Sequence, residues 1–139
     1  MIRNATEKDI EDIYKLGILL NQNFSNTYNI NDYLKNHNYI ILVNGYDRIN
    51  AFLIVYKNLD FFELEAIAVD SNIRRQGIAS SLISYFIKHY TNDKDIILLE
   101  VAVNNIGAVN LYKNFDFKVI NTREKYYNNI DAYVMKKVI

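Results

Sequence analysis

A-I-A-V-D-S-N-I-R-R-Q-G-I-A-S-S, running from Ala66 to Ser81, passes from an apolar run through a polar turn into a basic, glycine-bearing stretch. Ile67 to Val69 has the pattern of a buried strand, and Ile78, Leu82, Ile83, Phe86, Ile87 and Tyr90 recur beyond it at helical spacing. The residues between them therefore sit at a helix N-terminus. There the first amides lack partners within the helix and the dipole is positive, so an anion is favoured. Arg74 and Arg75 add charge, and Gly77 admits close backbone approach. The segment is suited to gripping a diphosphate. The other reading of the same residues makes Gly77 a packing glycine beneath the helix and the arginines a solvated surface.

Working outward, Ile2 to Ala5 reads as a strand, and Thr6 with Asp9 resembles a capping box for a helix carrying Ile10, Ile13, Tyr14, Gly17 and Leu20. A short helix is expected over Asn31 to Asn36. Strands follow at Tyr39 to Val43, Ile49 to Tyr56 and Phe61 to Val69, with N-G and K-N-L-D as turn signals, forming an antiparallel meander. After the long helix come a strand over Asp95 to Val103, a helix over Asn105 to Asn114, and a final strand pair, Phe117 to Thr122 and Ala132 to Val138. The expectation is a single α/β domain over residues 1–139, built on a mixed sheet.

Composition narrows the function. Half of the 139 residues are apolar and 23% are charged, which suits a globular core and excludes disorder. Sixteen basic residues balance sixteen acidic ones, so no overall positive field draws the chain to nucleic acid, and no direct nucleic-acid contact is expected. The absence of cysteine removes disulfides, thiolate metal sites and a thiol nucleophile together. His37 and His89 lie in unrelated segments without metal-ligand spacing, so no metal is expected. The first residues lack an apolar signal core and no stretch reaches membrane-spanning length, so a cytoplasmic protein without membrane contact is the simplest reading.

Arg74-Arg75-Gln76-Gly77-Ile78-Ala79 matches the pattern R/Q-x-x-G-x-G/A, and from Leu99 the chain reads L-E-V-A-V-N-N-I-G-A-V-N-L-Y-K-N-F-D-F. The first resembles the acetyl-CoA-binding motif of the GNAT superfamily of N-acetyltransferases. The second resembles that superfamily's L-x-V-x-x-x-N-x-x-A-x-x-L-Y-x-x-x-G-F signature, with Leu99, Val101, Asn105, Ala108, Leu111, Tyr112 and Phe117 in place. I-R-x-A-T at Ile2 to Thr6, R-x-x-Y-Y at Arg123 to Tyr127 and D-A-x-x-M at Asp131 to Met135 bring it nearest the RimI-type ribosomal-protein-alanine N-acetyltransferases. The resemblance implies a GNAT-like fold, a mostly antiparallel sheet of about seven strands flanked by about four helices, with splayed central strands. It implies direct acetyl transfer from acetyl-CoA to a primary amine. The acceptor it points to is a protein N-terminus of the ribosomal protein S18 kind, with a small amine such as a polyamine, amino acid or aminoglycoside as the alternative. A non-catalytic acyl-CoA-binding module is a third possibility, and a monomer or weak homodimer is expected.

The same resemblance makes Glu100 the general base, Tyr112 the general acid and Asn105 a cofactor contact. Ile67, Ala68 and Val69 would pair through their backbone with the pantetheine arm, and Arg74, Arg75, Gln76, Gly77, Ile78, Ala79 and Ser80 would hold the diphosphate. The chemistry agrees, because an α-amine of pKa about 7.7 to 8.0 is far easier to neutralise than a lysine near 10.4. A tyrosine near 10 can protonate a departing thiolate without being charged beforehand. Glu100 has a second reading as a strand-edge carboxylate paired with a lysine, and Tyr112 as a core aromatic. Strand alternation puts Glu63 and Glu65 on one face, where either is an alternative base, and Glu63 stands where histone-type members carry their catalytic glutamate. Tyr126 and Tyr127 read as acceptor-groove or sheet-packing residues. An acidic pocket around Glu63 and Glu65 would favour a small amine over a peptide. Three departures stand out: Ala102 replaces the arginine of the RimI-type L-E-V-R, Asp116 replaces the glycine of the second signature, where aspartate tolerates a left-handed backbone, and Asn21 to Tyr33, which the resemblance makes the acceptor-shaping region, lacks the Pro and Trp often found there.

Overall fold

The computed structural model describes every residue except Arg75 and Asn128, and of Tyr126 and Tyr127 the backbone alone. Strand β1 (Ile2–Asn4) leads through one turn of tight helix (Glu7–Asp9) into α1 (Ile10–Gly17). Two short helices, α2 (Phe24–Thr27) and α3 (Ile30–Leu34), precede β2 (Tyr39–Gly45), β3 (Ile49–Lys57) and β4 (Phe62–Val69). The long helix α4 (Ile78–Tyr90), β5 (Ile96–Ala102), α5 (Ile106–Asn114), β6 (Lys118–Tyr127) and β7 (Ile130–Val138) complete the order. The seven strands form one sheet ordered β1-β2-β3-β4-β5-β7-β6, in which only the β4–β5 pair is parallel. The expected mixed sheet is present, with five α-helices where about four were expected.

The start of α1 follows from its sequence. Asp9 closes the capping box by accepting from the Thr6 backbone N–H at 2.8 Å, and Arg3 grips the same carboxylate through two nitrogens at 2.8 and 2.9 Å. Burial works to raise the Asp9 pKa, but the Arg3 and Thr6 hydrogen bonds win and hold it below the usual carboxylate range. Asp12 ties α1 to β3 by accepting from Arg48 and from the Ile49 N–H.

The two faces of the sheet carry separate cores. Leu42, Leu53, Val55, Phe62 and Leu64 pack with Leu82 and Phe86 of α4 and Val109 of α5. On the opposite face Ile41, Val43, Phe52, Ile54, Ala66 and Ala68 pack with Ile13 and Leu16 of α1, Phe24 of α2 and Ile30 of α3. Strand β4 serves both because the register slips at Glu65: Val55 faces Leu64, whereas Ile54 faces Ala66. Glu65 is therefore the extra residue of a β-bulge. Strict alternation through Glu63 and Glu65 is interrupted there.

Leu20 was expected on the buried face of α1. The helix instead ends at Gly17, and Ile18, Leu19 and Leu20 are about half exposed. A Cβ on Gly17 would collide with the ring of Phe24, which is wholly buried among Tyr14, Tyr28 and Phe52. Helix propensity favours alanine by about 1 kcal/mol, whereas overpacking costs about 1–3 kcal/mol where the neighbour cannot yield. Gly17→Ala is therefore expected to lower the thermal unfolding midpoint, and an unchanged or raised midpoint would show that the Phe24 ring can move.

Candidate active site

Strands β4 and β5 pair over only three positions, Phe62 with Ile97, Glu63 with Leu98 and Leu64 with Leu99. Beyond Leu64 and Leu99 they diverge. A cavity of about 790 Å³ fills the gap, walled by β4 (Leu64 to Ile67), β5 (Glu100 to Ala102), Ala108 and Tyr112 of α5, and the segment from Leu20 to Phe24. A second cavity of about 570 Å³ shares Leu20, Ile67 and Asn105 with it and continues along Ala68 and Val69 to Arg74 and Gly77 through Ser80. The residues of both sequence signatures thus line one continuous cleft.

The far end of the cleft is built by a turn. Asp70 caps the Ser71–Ile73 turn by accepting from the Asn72 N–H at 3.0 Å, and the Arg74 Nε donates to the Val69 carbonyl at 3.4 Å. Gly77 has φ +77 and caps α4, whose first amides have no partner inside the helix. A Cβ added to Gly77 would meet nothing within 4 Å. Helix–sheet packing is therefore not what this glycine serves; its left-handed backbone and open approach are. Ile67, Ala68, Val69, Arg74, Ile78, Ala79 and Ser80 all line this end, whereas Gln76 is exposed and outside both cavities. Arg75 lies outside the described residues.

At the other end Tyr112 is 5% exposed, reaches the first cavity and packs against Phe117 with ring centres 5.7 Å apart. It is thus buried against the core and open to the cleft at once. Glu100 follows the last β4–β5 pair, and its partner is Arg123 of β6 at 3.2 Å rather than a lysine. Asn105 caps α5 by accepting from the Ala108 N–H at 3.3 Å while lining both cavities. Asp116 has φ +66, the left-handed conformation expected where it replaces glycine.

Glu63, Glu65 and Glu100 meet in a side pocket of about 320 Å³ that opens from the cleft beside Tyr28 and Tyr33. Burial, and then the neighbouring Glu63 carboxylate, push the Glu65 pKa up to about 7. Tyr28 donates its hydroxyl to the Glu65 carbonyl at 3.2 Å. Burial, the Tyr33 hydroxyl and the Glu65 carboxylate together raise the Tyr39 pKa. Tyr126 and Tyr127 have side chains outside the described residues. Among the described residues no cluster of His, Cys, Asp or Glu is arranged to hold a metal, and no helix is long and apolar enough to cross a membrane.

Asn21, Phe24, Tyr28 and Tyr33, from the segment that the resemblance makes acceptor-shaping, line the cleft and its side pocket, whereas Leu19 and Leu20 line the cleft without having been singled out for it in the sequence. The available signal for these two is the apolar Ile18-Leu19-Leu20 run at the end of α1, in which Leu20 carries the spacing of the helix's buried face.

The family model described as Acetyltransferase (GNAT) family matches residues 8–117. The chain belongs to the GNAT acetyltransferase family. This GNAT chain is 36% identical over 74 residues to the probable N-acetyltransferase san of Drosophila melanogaster, an alignment covering 50% of this chain and 40% of that protein. It is 34% identical over 94 residues to the [ribosomal protein bS18]-alanine N-acetyltransferase of Salmonella typhimurium, covering 64% of each. The chain thus spans between 40 and 64% of the length of these two curated relatives. In fold it is similar to the ribosomal-protein-S18-alanine N-acetyltransferase of Escherichia coli, with a TM-score of 0.80 at 22% identity over 100% of this chain and 93% of that one. The splayed β4–β5 pair and the α4 N-terminus are therefore the GNAT framework carrying this chain's own side chains.

Proposed function

We propose that this GNAT protein transfers an acetyl group from acetyl-CoA directly to a primary amine, the N-terminal α-amine of a protein being the first-choice acceptor. The observation that carries the reading is the parting of β4 from β5 after Leu64 and Leu99, which joins the α4 N-terminus to a pocket of proton-transfer groups in one cleft. The residues fit the donor. The α4 amides with Arg74 and the bare Gly77 backbone suit a diphosphate, and the β4 backbone from Glu65 to Val69, unpaired toward β5, suits an extended amide-bearing arm. Bound there, acetyl-CoA supplies an activated thioester carbon.

The chain's own residues handle the protons. Glu65 takes the proton of the acceptor ammonium, since a carboxyl near 7 lies close to an α-amine of about 7.7 to 8.0. Glu100, the base that resemblance implies, is engaged with Arg123, and its role in this reading is to hold the acceptor end in place. Tyr112 gives its phenolic proton to the departing sulfur as the amide C–N bond replaces the C–S bond. Backbone N–H groups of β4 beside the reacting carbonyl favour the negative charge that develops there.

The test is mass spectrometry of products formed from acetyl-CoA with a panel of Ala-starting peptides and small amines. Acetylated peptide N-termini are the expected outcome, and no acetylated product with any acceptor would overturn the reading. One observation favours the small-amine alternative, the acidic character of the Glu63–Glu65–Glu100 pocket. Gly77→Val tests the donor end separately. A β-branched residue at φ +77 is strained by about 1–2 kcal/mol and covers the bare backbone, so CoA affinity measured by calorimetry is expected to fall about tenfold or more. Unchanged affinity would move the diphosphate elsewhere.

A further inference from the structure

The side pocket contains more negative charge than proton transfer requires. Of its three carboxylates Glu100 is paired with Arg123, and among the described residues no cation or hydrogen-bond donor engages the Glu63 or Glu65 side chain. Glu65 has a task in the proposed chemistry and Glu63 has none. The walls beside Glu63 are aromatic and held in place. Tyr33 stacks on Tyr39 with ring centres 3.8 Å apart and planes 6° off parallel, meets Tyr28 edge-on at 6.4 Å, and Tyr28 lies against Phe24 at 4.6 Å.

A carboxylate between fixed aromatic walls attracts a cation and repels an anion, because ring faces and carboxylate both present negative potential. We infer that the acceptor carries a second positive charge, held by Glu63 against Tyr28 and Tyr33, and that this pocket makes the protein select cationic acceptors over neutral or acidic ones. The inference rests on the transferase reading and specifies its acceptor. Glu63 stands two residues before Glu65 on β4, and both line the same small pocket, so the second charge is held close to the reacting nitrogen. An Arg or Lys following the N-terminal residue of a peptide offers this chemistry, and so does a short diamine.

The test compares initial rates of thiol release, at saturating acetyl-CoA, for peptides starting Ala-Arg, Ala-Ser and Ala-Glu and for putrescine. The expected kcat/KM for a dicationic acceptor exceeds that for Ala-Ser by roughly tenfold or more, with Ala-Glu lower still. The advantage shrinks with added salt. Glu63→Gln is expected to bring the Ala-Arg to Ala-Ser ratio toward unity, and Glu63→Lys to reverse the order in favour of Ala-Glu, with thermal melts showing that both variants fold. Ala-Arg leading the panel assigns the pocket to peptides, and putrescine leading assigns it to small amines. Equal rates across the three peptides, or a cation preference that survives both substitutions, would overturn the inference while leaving acetyl transfer intact. No product with any acceptor would overturn both.

Discussion

Tyr112→Phe is expected to lower kcat by roughly 10²–10⁴-fold while leaving CoA affinity almost unchanged. The ring is 5% exposed and packs on Phe117, and phenylalanine keeps that packing, so the fold persists at a cost of about 1 kcal/mol for the hydroxyl's interactions. What disappears is the proton for the leaving sulfur. Release of CoA followed by a thiol reagent measures the rate, and calorimetry measures the affinity. A variant running at the full rate across pH would remove Tyr112 from the chemistry and leave it a core aromatic.

Glu65→Gln should be nearly as damaging, by roughly 100-fold or more near neutral pH, because glutamine is isosteric and cannot take a proton. The wild-type kcat/KM is expected to rise with pH through about 7, following ionisation of Glu65, and the variant should lose that limb. Glu100→Gln is the control: if it abolishes the limb while Glu65→Gln keeps it, the base is Glu100. Stability should move in the opposite sense. A carboxyl raised from 4.5 to about 7 holds its proton more tightly folded than unfolded, so its contribution is present at low pH and fades as pH rises through that window. Above pH 7 the Glu65→Gln protein is therefore expected to unfold at a temperature no lower than wild type, a combination of lost rate and kept stability that a merely structural glutamate would not produce.

The sheet, the long helix and both ends of the cleft were legible in the sequence because period and punctuation coincide there. Ile67 to Val69, the glycine at 77 and the Leu82–Ile83–Phe86 face leave little choice, and Thr6 with Asp9 marks the entry to α1. Where punctuation is missing the reading failed. Helix α2 is one turn of F-S-N-T with no apolar period, and Phe24 is its one buried residue. The bulge at Glu65 carries no glycine to announce it. The last hairpin runs to Tyr127 and from Ile130, longer than expected, because exposed, charged T-R-E-K hides a strand whose register shifts between Arg123 and Tyr127 and whose Lys125 takes φ +52. The side pocket was half visible. Its glutamates stand two apart on β4, whereas Tyr28 and Tyr33 reach them only through the tertiary placement of α2 and α3.

The slipped register in β4 also limits how this chain can change length. Upstream of Glu65 the large side chains Phe62 and Leu64 look toward α4, and downstream the small Ala66 and Ala68 look toward α1, beside Phe24 and Phe52. Deleting Glu65 itself would remove the bulge and leave both halves facing as they do, whereas deleting Ala66 with the bulge kept would turn the downstream half over, driving Ile67 and Val69 into space sized for alanines and leaving holes under α4. Loops such as Tyr46–Arg48 can absorb an insertion or deletion; within this strand a single-residue deletion is tolerated only at the bulge, and elsewhere it would exchange the two packed faces of half an element.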